Sequence, residues 1–144
     1  ALEQKMIELT YTCLDVWSSG NLELVNEVYS PEIIRHWVGT PDVIGVDAYR
    51  EEIRLFKTAF PDLHFEVGEL FVHGDKVYYE LTLTGTNTGP WGDIPPTGKK
   101  VYVEFMEIDR IVDNKIVEEW GYMNELDFVM QLGFTLAPPE MTDN

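Results

Sequence analysis

Helical spacing dominates the N-terminal part of the chain. A helix is predicted over residues 2–17, because apolar side chains recur there every three or four positions. These side chains are Met6, Leu9, Cys13, Leu14 and Trp17. Asn21 can cap a short second helix that ends near Tyr29. After a short strand over residues 33–38 and a loop, the pattern predicts a third helix over residues 47–60.

Beyond Pro61 the apolar positions alternate with polar ones, which is the spacing of β-strands. Strands are predicted over residues 65–72, 77–86, 99–112 and 116–122, and a final helix over residues 125–132. In the first of these strands the alternation changes phase at Gly68. That change predicts a β-bulge and therefore a bent sheet.

Helices followed by strands predict an α+β fold, with a bent antiparallel sheet packed on the N-terminal helices. We expect a single domain over residues 1–134 and a flexible tail over residues 135–144. The segment "NTGPWGDIPPTGKK", residues 87–100, is longer than a hairpin connection needs. A bent sheet against helices encloses a cavity, so this loop is expected to form one wall of the entrance, with Trp91 as an apolar plate. A rigid connection in which Trp91 covers the surface is the alternative.

Composition excludes several classes of function. The 144 residues carry a formal net charge of -16, which argues against binding to nucleic acids or to anionic membranes, since both need clustered Lys and Arg. The single cysteine, Cys13, excludes an intrachain disulfide and favours a cytoplasmic location. Its apolar helical setting indicates a core residue rather than a nucleophile. The motifs GxGxxG, P-loop, HExxH and paired cysteines do not occur in the sequence.

A family likeness lies in the segments "LTLTGTNTGPWGDIPPTGKKV", "IDRIVDNKIVEEW" and "LDFVMQLG". Upstream, "IIRHWVG", "GVDAYREEI" and "AFPDLHFEV" fit the same pattern. Over residues 3–133 the chain thereby resembles the SnoaL-like polyketide cyclases, or ester cyclases, of the NTF2-like superfamily. The "IPPTG" loop and the "DNKIVEEW" hairpin are the more specific parts of this resemblance.

The resemblance implies a cone-shaped, NTF2-like (cystatin-like) α+β barrel whose interior binds a small, largely apolar molecule. It also implies a homodimer or homotetramer formed through the outer face of the sheet. In well-known members the reaction is an intramolecular aldol condensation that closes a ring in a polyketide methyl ester, with no cofactor and no metal. A carboxylate on the last strand removes a proton next to a carbonyl group.

Glu107 is the first candidate for such a base. It continues an apolar face formed by Val101, Val103 and Phe105, where a carboxylate is costly without a partner or a purpose. Burial there would raise its pKa toward the working pH. The alternative is a strand-end carboxylate that reaches solvent or pairs with Arg110 or a lysine.

Gly121 is the position at which the chain departs from the family. The likeness places the odd-numbered positions of the last strand inside, and the catalytic acid of the cyclases falls on Gly121, which has no side chain. Asn124 stands where relatives often have a second Asp. Either Glu107 or Glu119 then acts as the base, or the cavity binds its ligand without that reaction. A glycine at this position also predicts a larger cavity.

His36, on the short strand near the predicted cavity mouth, is a further candidate for acid–base chemistry, with a structural histidine as the alternative. Two tyrosines project from helices that are expected to cover the cavity. The complete predicted lining is Trp37, Tyr11, Tyr49, Trp91, Phe105, Gly121, Met123 and Asn124. No metal ligands are predicted.

Two functions of a hollow interior therefore remain open, beside a scaffold dimer whose interior is filled. The first is a cofactor-free enzyme of the cyclase or isomerase kind, acting on a small apolar carbonyl compound, with Glu107 as the favoured base and His36 or a tyrosine as the donor to the oxyanion. The second is a non-catalytic small-molecule binding protein of the same fold, which the missing acid at Gly121 favours.

Overall fold

The computed structural model describes residues 1–141 and consists of a curved sheet with helices packed against its inner face. The helices are α1 (Leu2–Ser19), α2 (Val25–Val28), α3 (Val46–Ala59) and α4 (Glu125–Gln131), with a 3-10 turn at Leu22–Leu24. The strands are β1 (Tyr29–Trp37), β2 (Val43–Ile44), β3 (His64–His73), β4 (Lys76–Thr86), β5 (Lys100–Val112) and β6 (Lys115–Met123). The predicted α+β fold class is confirmed.

The sheet is mixed rather than antiparallel throughout. Its strand order is β2-β1-β6-β5-β4-β3 in the described part of the chain, so β2 and β3 are edges and the sheet does not close. The meander from β3 to β6 is antiparallel as expected, whereas β1 pairs with β6 in parallel. The parallel pair places the first long strand beside the last one, which local sequence patterns do not reveal.

Strand β1 begins earlier than predicted. The second helix ends at Val28, and Pro31 lies inside β1 rather than before it. Proline is tolerated there because the register of β1 against β6 is irregular between Tyr29 and Ile34. The missing backbone N–H of Pro31 therefore interrupts no regular ladder of hydrogen bonds. The predicted loop after β1 also contains the short strand β2, which pairs with β1.

The bulge predicted at Gly68 is confirmed. The register of β3 against β4 shifts between Val67 and Leu70, and a Cβ atom at Gly68 would lie 2.9 Å from Oε2 of Glu80. A second shift occurs between Arg110 and Ile111 in the β5–β6 pair. Such irregularities bend a sheet, and here the bent sheet surrounds the apolar core against α1 and α3.

The two faces of β5 have opposite character. Its odd-numbered residues from Val101 to Ile111 are buried, as the alternation predicts. On the even-numbered outer face, Tyr102 and Met106 are exposed, and Tyr122 of β6, also exposed, stands opposite Met106. The outer face of the sheet therefore carries a band of accessible apolar and aromatic groups.

The loop between β4 and β5 is fixed by the buried side chain of Asn87. Its amide nitrogen donates to the carbonyl oxygens of Ala59 (3.1 Å) and Gly89 (3.0 Å). Its amide oxygen accepts from the backbone nitrogen (2.9 Å) and the hydroxyl (3.0 Å) of Thr97. One side chain thus ties both ends of the loop to the end of α3, which holds Trp91 in place.

Residues 135–141 contain no helix or strand. The remaining residues of the predicted tail, 142–144, lie outside the described part of the chain. None of the helices in residues 1–141 combines the length and the apolar character that a membrane span requires.

Replacing Asn87 by Ala should destabilise the protein. The change removes the four hydrogen bonds that the side chain makes to Ala59, Gly89 and Thr97, so we expect the free energy of unfolding to fall by about 2–3 kcal/mol in urea titrations. Asn26→Ala, at an exposed site in α2, is the matched control and should change it by less than about 0.5 kcal/mol. Equal effects of the two substitutions would contradict this role of Asn87.

The homodimer or homotetramer stays a prediction, and the outer face of the sheet is where to test it. We expect light scattering to give a mass above the 16.6 kDa of one chain. Met106→Lys should lower this mass, because it places a charge among the apolar groups of the outer face. Met130→Lys, at an exposed site on α4, is the control. A wild-type mass of one chain at high concentration would show that the expectation is wrong.

Candidate active site

A cavity of about 510 Å³ lies between the inner face of the sheet, α1, α3, α4 and the loop after β4. Its volume is in the range of small-molecule sites. Aromatic side chains form much of the wall, among them Trp37, Phe56, Phe65, Trp91, Phe105 and Phe128. Trp91 packs edge-on against Phe56, with ring centroids 5.1 Å apart, so the loop after β4 forms part of the wall.

The charged residues in the wall fall into two groups. Arg35 and Glu107 project from the sheet, and the side chain of Arg35 is 13% exposed while Glu107 is 7% exposed. Asp42, Glu52 and Glu125 also line the cavity but are exposed or half-buried. Glu107 therefore combines contact with the cavity and nearly complete burial.

Strand register brings the polar groups of the inner face together. One cross-strand row consists of Trp37, Gly121, Glu107 and Tyr79, on β1, β6, β5 and β4. The adjacent row consists of Arg35, Glu119, Asp109 and Val77 on the same strands. Because residues opposite each other in register share a face, three carboxyl groups and one guanidinium group meet on the inner face.

The hydroxyl group of Tyr79 bridges two of these carboxyl groups. It lies 2.7 Å from Oε2 of Glu107 and 2.7 Å from Oδ2 of Asp109. A phenol has one proton to donate, and burial raises the pKa of Tyr79 well above its ordinary value, so the phenol stays neutral. At least one of the two carboxyl groups must then donate to the phenol oxygen, which requires that it is protonated.

Asp109 is the more deeply placed of the two. It is fully buried, and its Oδ1 atom has no hydrogen-bond partner among the described residues. Burial, followed by the charges of Glu119 and Glu107, raises the pKa of Asp109 well above its ordinary range. We therefore assign the proton to Asp109, which donates to Tyr79, while Tyr79 donates to Glu107.

Glu119 is held by groups from two elements. The hydroxyl of Tyr49 donates to its carboxylate at 2.9 and 3.2 Å, and Nε of Arg35 lies 3.2 Å from its Oε1 atom. Arg35 is in turn placed over the rings of Trp37 (4.5 Å) and Trp17 (5.0 Å). This pairing compensates the charge of Glu119 and leaves Glu107 to face the cavity.

Burial raises the pKa of Glu107 to about 8, and the charge of Glu119 adds to the rise, while Arg35 and the hydrogen bond from Tyr79 oppose it. Near neutral pH the carboxyl is then mostly protonated with a minor ionised fraction, which suits both general acid and general base chemistry. The folded state binds this proton more tightly than the unfolded chain does. Its contribution to stability is present below the ordinary value of 4.5 and is lost as the pH rises through 8.

Among residues 1–141, Cys13, Asp109 and Glu119 form a group whose ligand atoms lie within 4.8 Å of one another. Burial raises the pKa of the Cys13 thiol well above its ordinary value, which disfavours the thiolate that binds metals. The thiol lies 2.7 Å from the hydroxyl of Tyr29, and Asp109 is bound by Tyr79. A protonated Asp109 and a Glu119 paired with Arg35 fit this setting better than a metal ion does.

The structure places some of the predicted lining residues in the wall and others outside it. Trp37, Trp91, Phe105 and Met123 line the cavity together with Glu107. Glu119 and Tyr49 are buried behind the wall and contact each other rather than the cavity.

Three predicted site residues lie away from the cavity. Tyr11 is 50% exposed on α1, and Asn124 is exposed and caps α4 by accepting from the backbone nitrogen of Asp127 (3.1 Å). His36 projects from the opposite face of β1, where it contacts Asp42 (3.0 Å) and Glu118 (2.7 Å). Its hydrogen bond with Glu118 raises the pKa of His36, so the ring has a structural role in an ion-pair cluster.

The expectation that Gly121 enlarges the cavity is wrong. A Cβ atom at Gly121 would lie 2.0 Å from Cζ3 of Trp37, so the indole already fills the space that a side chain would take.

Sequence reasoning missed Arg35, Tyr79 and Asp109. Each had a positional signal, because Arg35 precedes Trp37 by two residues on one strand, and Asp109 follows Glu107 by two on another. Tyr79 lay on a face that alternation assigned to the core. What the pattern did not show was that β1 pairs with β6, which brings Arg35 onto the same face as the residues of β4 and β5.

Replacing Tyr79 by Phe should raise the pKa of Glu107 further, because the phenol hydrogen bond favours the ionised carboxylate. A carbon-detected NMR titration of the Glu107 carboxyl should show an alkaline shift from about 8. Tyr78→Phe, on the outward-facing neighbour in β4, is the control and should leave the titration unchanged. An unaltered Glu107 titration in the Tyr79 variant would contradict the bridging geometry.

Comparison with known proteins agrees with this architecture. The family model described as SnoaL-like polyketide cyclase matches residues 7–132. The aklanonic acid methyl ester cyclase DnrD of Streptomyces peucetius is 27% identical over 140 residues, which cover 93% of this chain and 94% of that protein.

Solved structures give the same result for the fold. A SnoaL-like protein from Jannaschia sp. CCS1 superposes with a TM-score of 0.83 at 23% identity, over 95% of each chain. TsrD from Streptomyces laurentii superposes with a TM-score of 0.80 at 27% identity, over 90% of this chain and 96% of that one. Since the family model covers most of the sequence and the fold agrees, the chain belongs to the SnoaL-like polyketide cyclase family.

Proposed function

We propose that this protein is an enzyme that transfers protons at a carbon next to a carbonyl group, in an aldol cyclisation or an isomerisation, without a cofactor. The observation that carries the proposal is the position of Glu107. It is a buried carboxyl in the cavity wall whose pKa is raised to about 8, close to the pH at which an acid–base catalyst works best.

Ionised Glu107 acts as the base. It takes a proton from the carbon beside the carbonyl, the electron pair of the broken C–H bond moves into the carbonyl group, and an enolate forms. In a cyclisation the enolate carbon then bonds to a second carbonyl carbon of the same molecule. The oxygen of that carbonyl takes up the proton from Glu107, which regenerates the ionised base. In an isomerisation, protonated Glu107 returns the proton to another carbon of the enolate.

Arg35 replaces His36 and the tyrosines as the proposed partner of the enolate oxygen. Its guanidinium group lines the cavity beside aromatic side chains, in a setting that water reaches little. A fixed positive charge in such a setting stabilises developing negative charge far better than it does in water. The ion pair with Glu119 holds Arg35 in place before the substrate binds.

The wall supports a small, neutral, largely apolar carbonyl compound as the substrate class. Aromatic groups surround the cavity, and the carboxyl groups of Asp42, Glu52 and Glu125 at its margin repel an anionic ligand. DnrD, which is named as a cyclase of a methyl ester, agrees with a neutral substrate.

A location in the cytoplasm, where thiols stay reduced, belongs to the same proposal. The single cysteine, Cys13, is buried and reduced, and the chain needs no disulfide for its core.

Replacing Glu107 by Gln should abolish proton transfer. With β-tetralone as a small carbonyl probe in D₂O, NMR should show that the wild type accelerates exchange of the protons beside the carbonyl. The Gln variant keeps the shape of the site but cannot take a proton, so the acceleration should fall by about 10²–10⁴-fold. The rate should rise with pH toward 8 in the wild type, as Glu107 ionises.

Glu104→Gln is the matched control, since Glu104 lies on the exposed outer face of the same strand. Retained exchange in the Glu107 variant would remove Glu107 from the mechanism. Binding of β-tetralone by the wild type without any accelerated exchange would favour the second function, a non-catalytic small-molecule binding protein. The absence of a side chain at Gly121 is the observation behind that second function.

A further inference from the structure

Gly121 leaves a gap in the inner face of the sheet, directly beside Glu107. In the β5–β6 pair Gly121 stands opposite Glu107, and in the β1–β6 pair it stands opposite Trp37. The three residues therefore form a row across three strands, in which the middle position has no side chain.

The indole of Trp37 fills this gap. A Cβ atom at Gly121 would lie 2.0 and 2.1 Å from Cζ3 and Cε3 of Trp37, distances that real Cβ atoms do not show. The ring also reaches Phe105 on β5, with the centroids 5.9 Å apart. Since β6 separates β1 from β5, their backbones are about 9.5 Å apart, and the indole must lie across β6 to make that contact.

Contacts on several sides hold the indole in this position. The guanidinium carbon of Arg35 lies 4.5 Å from the ring centroid, and Nε1 of Trp37 donates to Glu125 at the start of α4. Trp37 lines the cavity together with Arg35, Phe105 and Glu107. The indole thus separates the cavity from the backbone of β6 at the place where Glu107 is reached.

We propose that Trp37 and Gly121 form a matched pair that sets how deeply a ligand enters the cavity, and so determines the size of the carbonyl compound that can present its reacting carbon to Glu107. This proposal rests on the proposed proton transfer at Glu107 for its catalytic meaning, but the depth of the cavity is a property of the pair itself. Gly121 is required because the indole leaves no room for a methyl group.

The pair predicts a change in size selectivity. In Trp37→Ala the space of the indole joins the cavity above Gly121, so a larger ligand gains buried contact that the wild type denies it. The two probes are β-tetralone and its homologue with one more fused benzene ring, and calorimetry gives a dissociation constant for each. We expect the ratio of the two dissociation constants to shift in favour of the larger ketone by about tenfold or more. Trp37→Leu, which fills part of the space above Gly121, should shift the ratio in the same direction by less.

Trp120→Ala is the matched control. Trp120 lies on the other face of β6 and stacks on His36, so its loss should leave the ratio unchanged. An unchanged ratio in both Trp37 variants, or an equal shift in the Trp120 variant, would overturn the proposal.

A double-mutant comparison tests the match between the two positions. Gly121→Ala should lower the melting temperature in the wild-type background, because the methyl group displaces the indole, and should lower it much less in the Trp37→Ala background. An equal decrease in both backgrounds would show that the residues are not a pair.

The readouts also separate this proposal from the proposed function. A shifted binding ratio without wild-type proton exchange would support the pair and reject the enzyme. Exchange that depends on Glu107, with an unchanged ratio, would support the enzyme and reject the pair.

Discussion

Charge compensation on the inner face of the sheet is the interaction on which the rest of the site depends. Glu107, Asp109 and Glu119 are buried next to the guanidinium group of Arg35, whose side chain is 13% exposed. Three carboxylates in this setting would be too costly, because burial disfavours each charge and their mutual repulsion adds to the cost. The protein resolves the imbalance with protons and with the hydroxyl groups of Tyr79 and Tyr49, which leave only part of the negative charge in place.

This arrangement costs stability in exchange for reactivity. Apolar side chains at the three carboxyl positions would pack without any need for protons, whereas the present set weakens the fold as the pH rises through the range in which Glu107 ionises. Groups with strongly shifted pKa values in a cavity wall are typical of catalytic sites. The acidic surface, with a formal net charge of -16, adds a general repulsion that disfavours ionisation of any one buried carboxyl.

The absence of a side chain at Gly121 has a different meaning in the folded protein than in the sequence. From the sequence alone, the glycine indicates that a catalytic acid is lost and that the cavity is larger. In the structure the space belongs to Trp37, whose position depends in turn on Arg35 and Glu125. The shape of the cavity and the placement of its positive charge are therefore linked through one aromatic ring.

The sequence by itself determined the local features, namely the helices, the antiparallel meander, the bulge at Gly68 and the inward direction of Glu107. These follow from periodicity and from backbone preference, which act over a few residues. The resemblance added the family, and with it the inward direction of Glu119, Gly121 and Met123 on β6. At the start of β6 the register shift puts Ile116 rather than Val117 in the core.

Only the tertiary structure decided which candidates meet. The parallel pairing of β1 with β6 joins residues more than eighty positions apart, and it turns Arg35 and Trp37 inward while His36 points outward. The same pairing places Trp37 over Gly121 and Arg35 beside Glu119. Long-range register depends on the packing of the whole sheet against the helices, and no local pattern of apolar and polar residues carries that information.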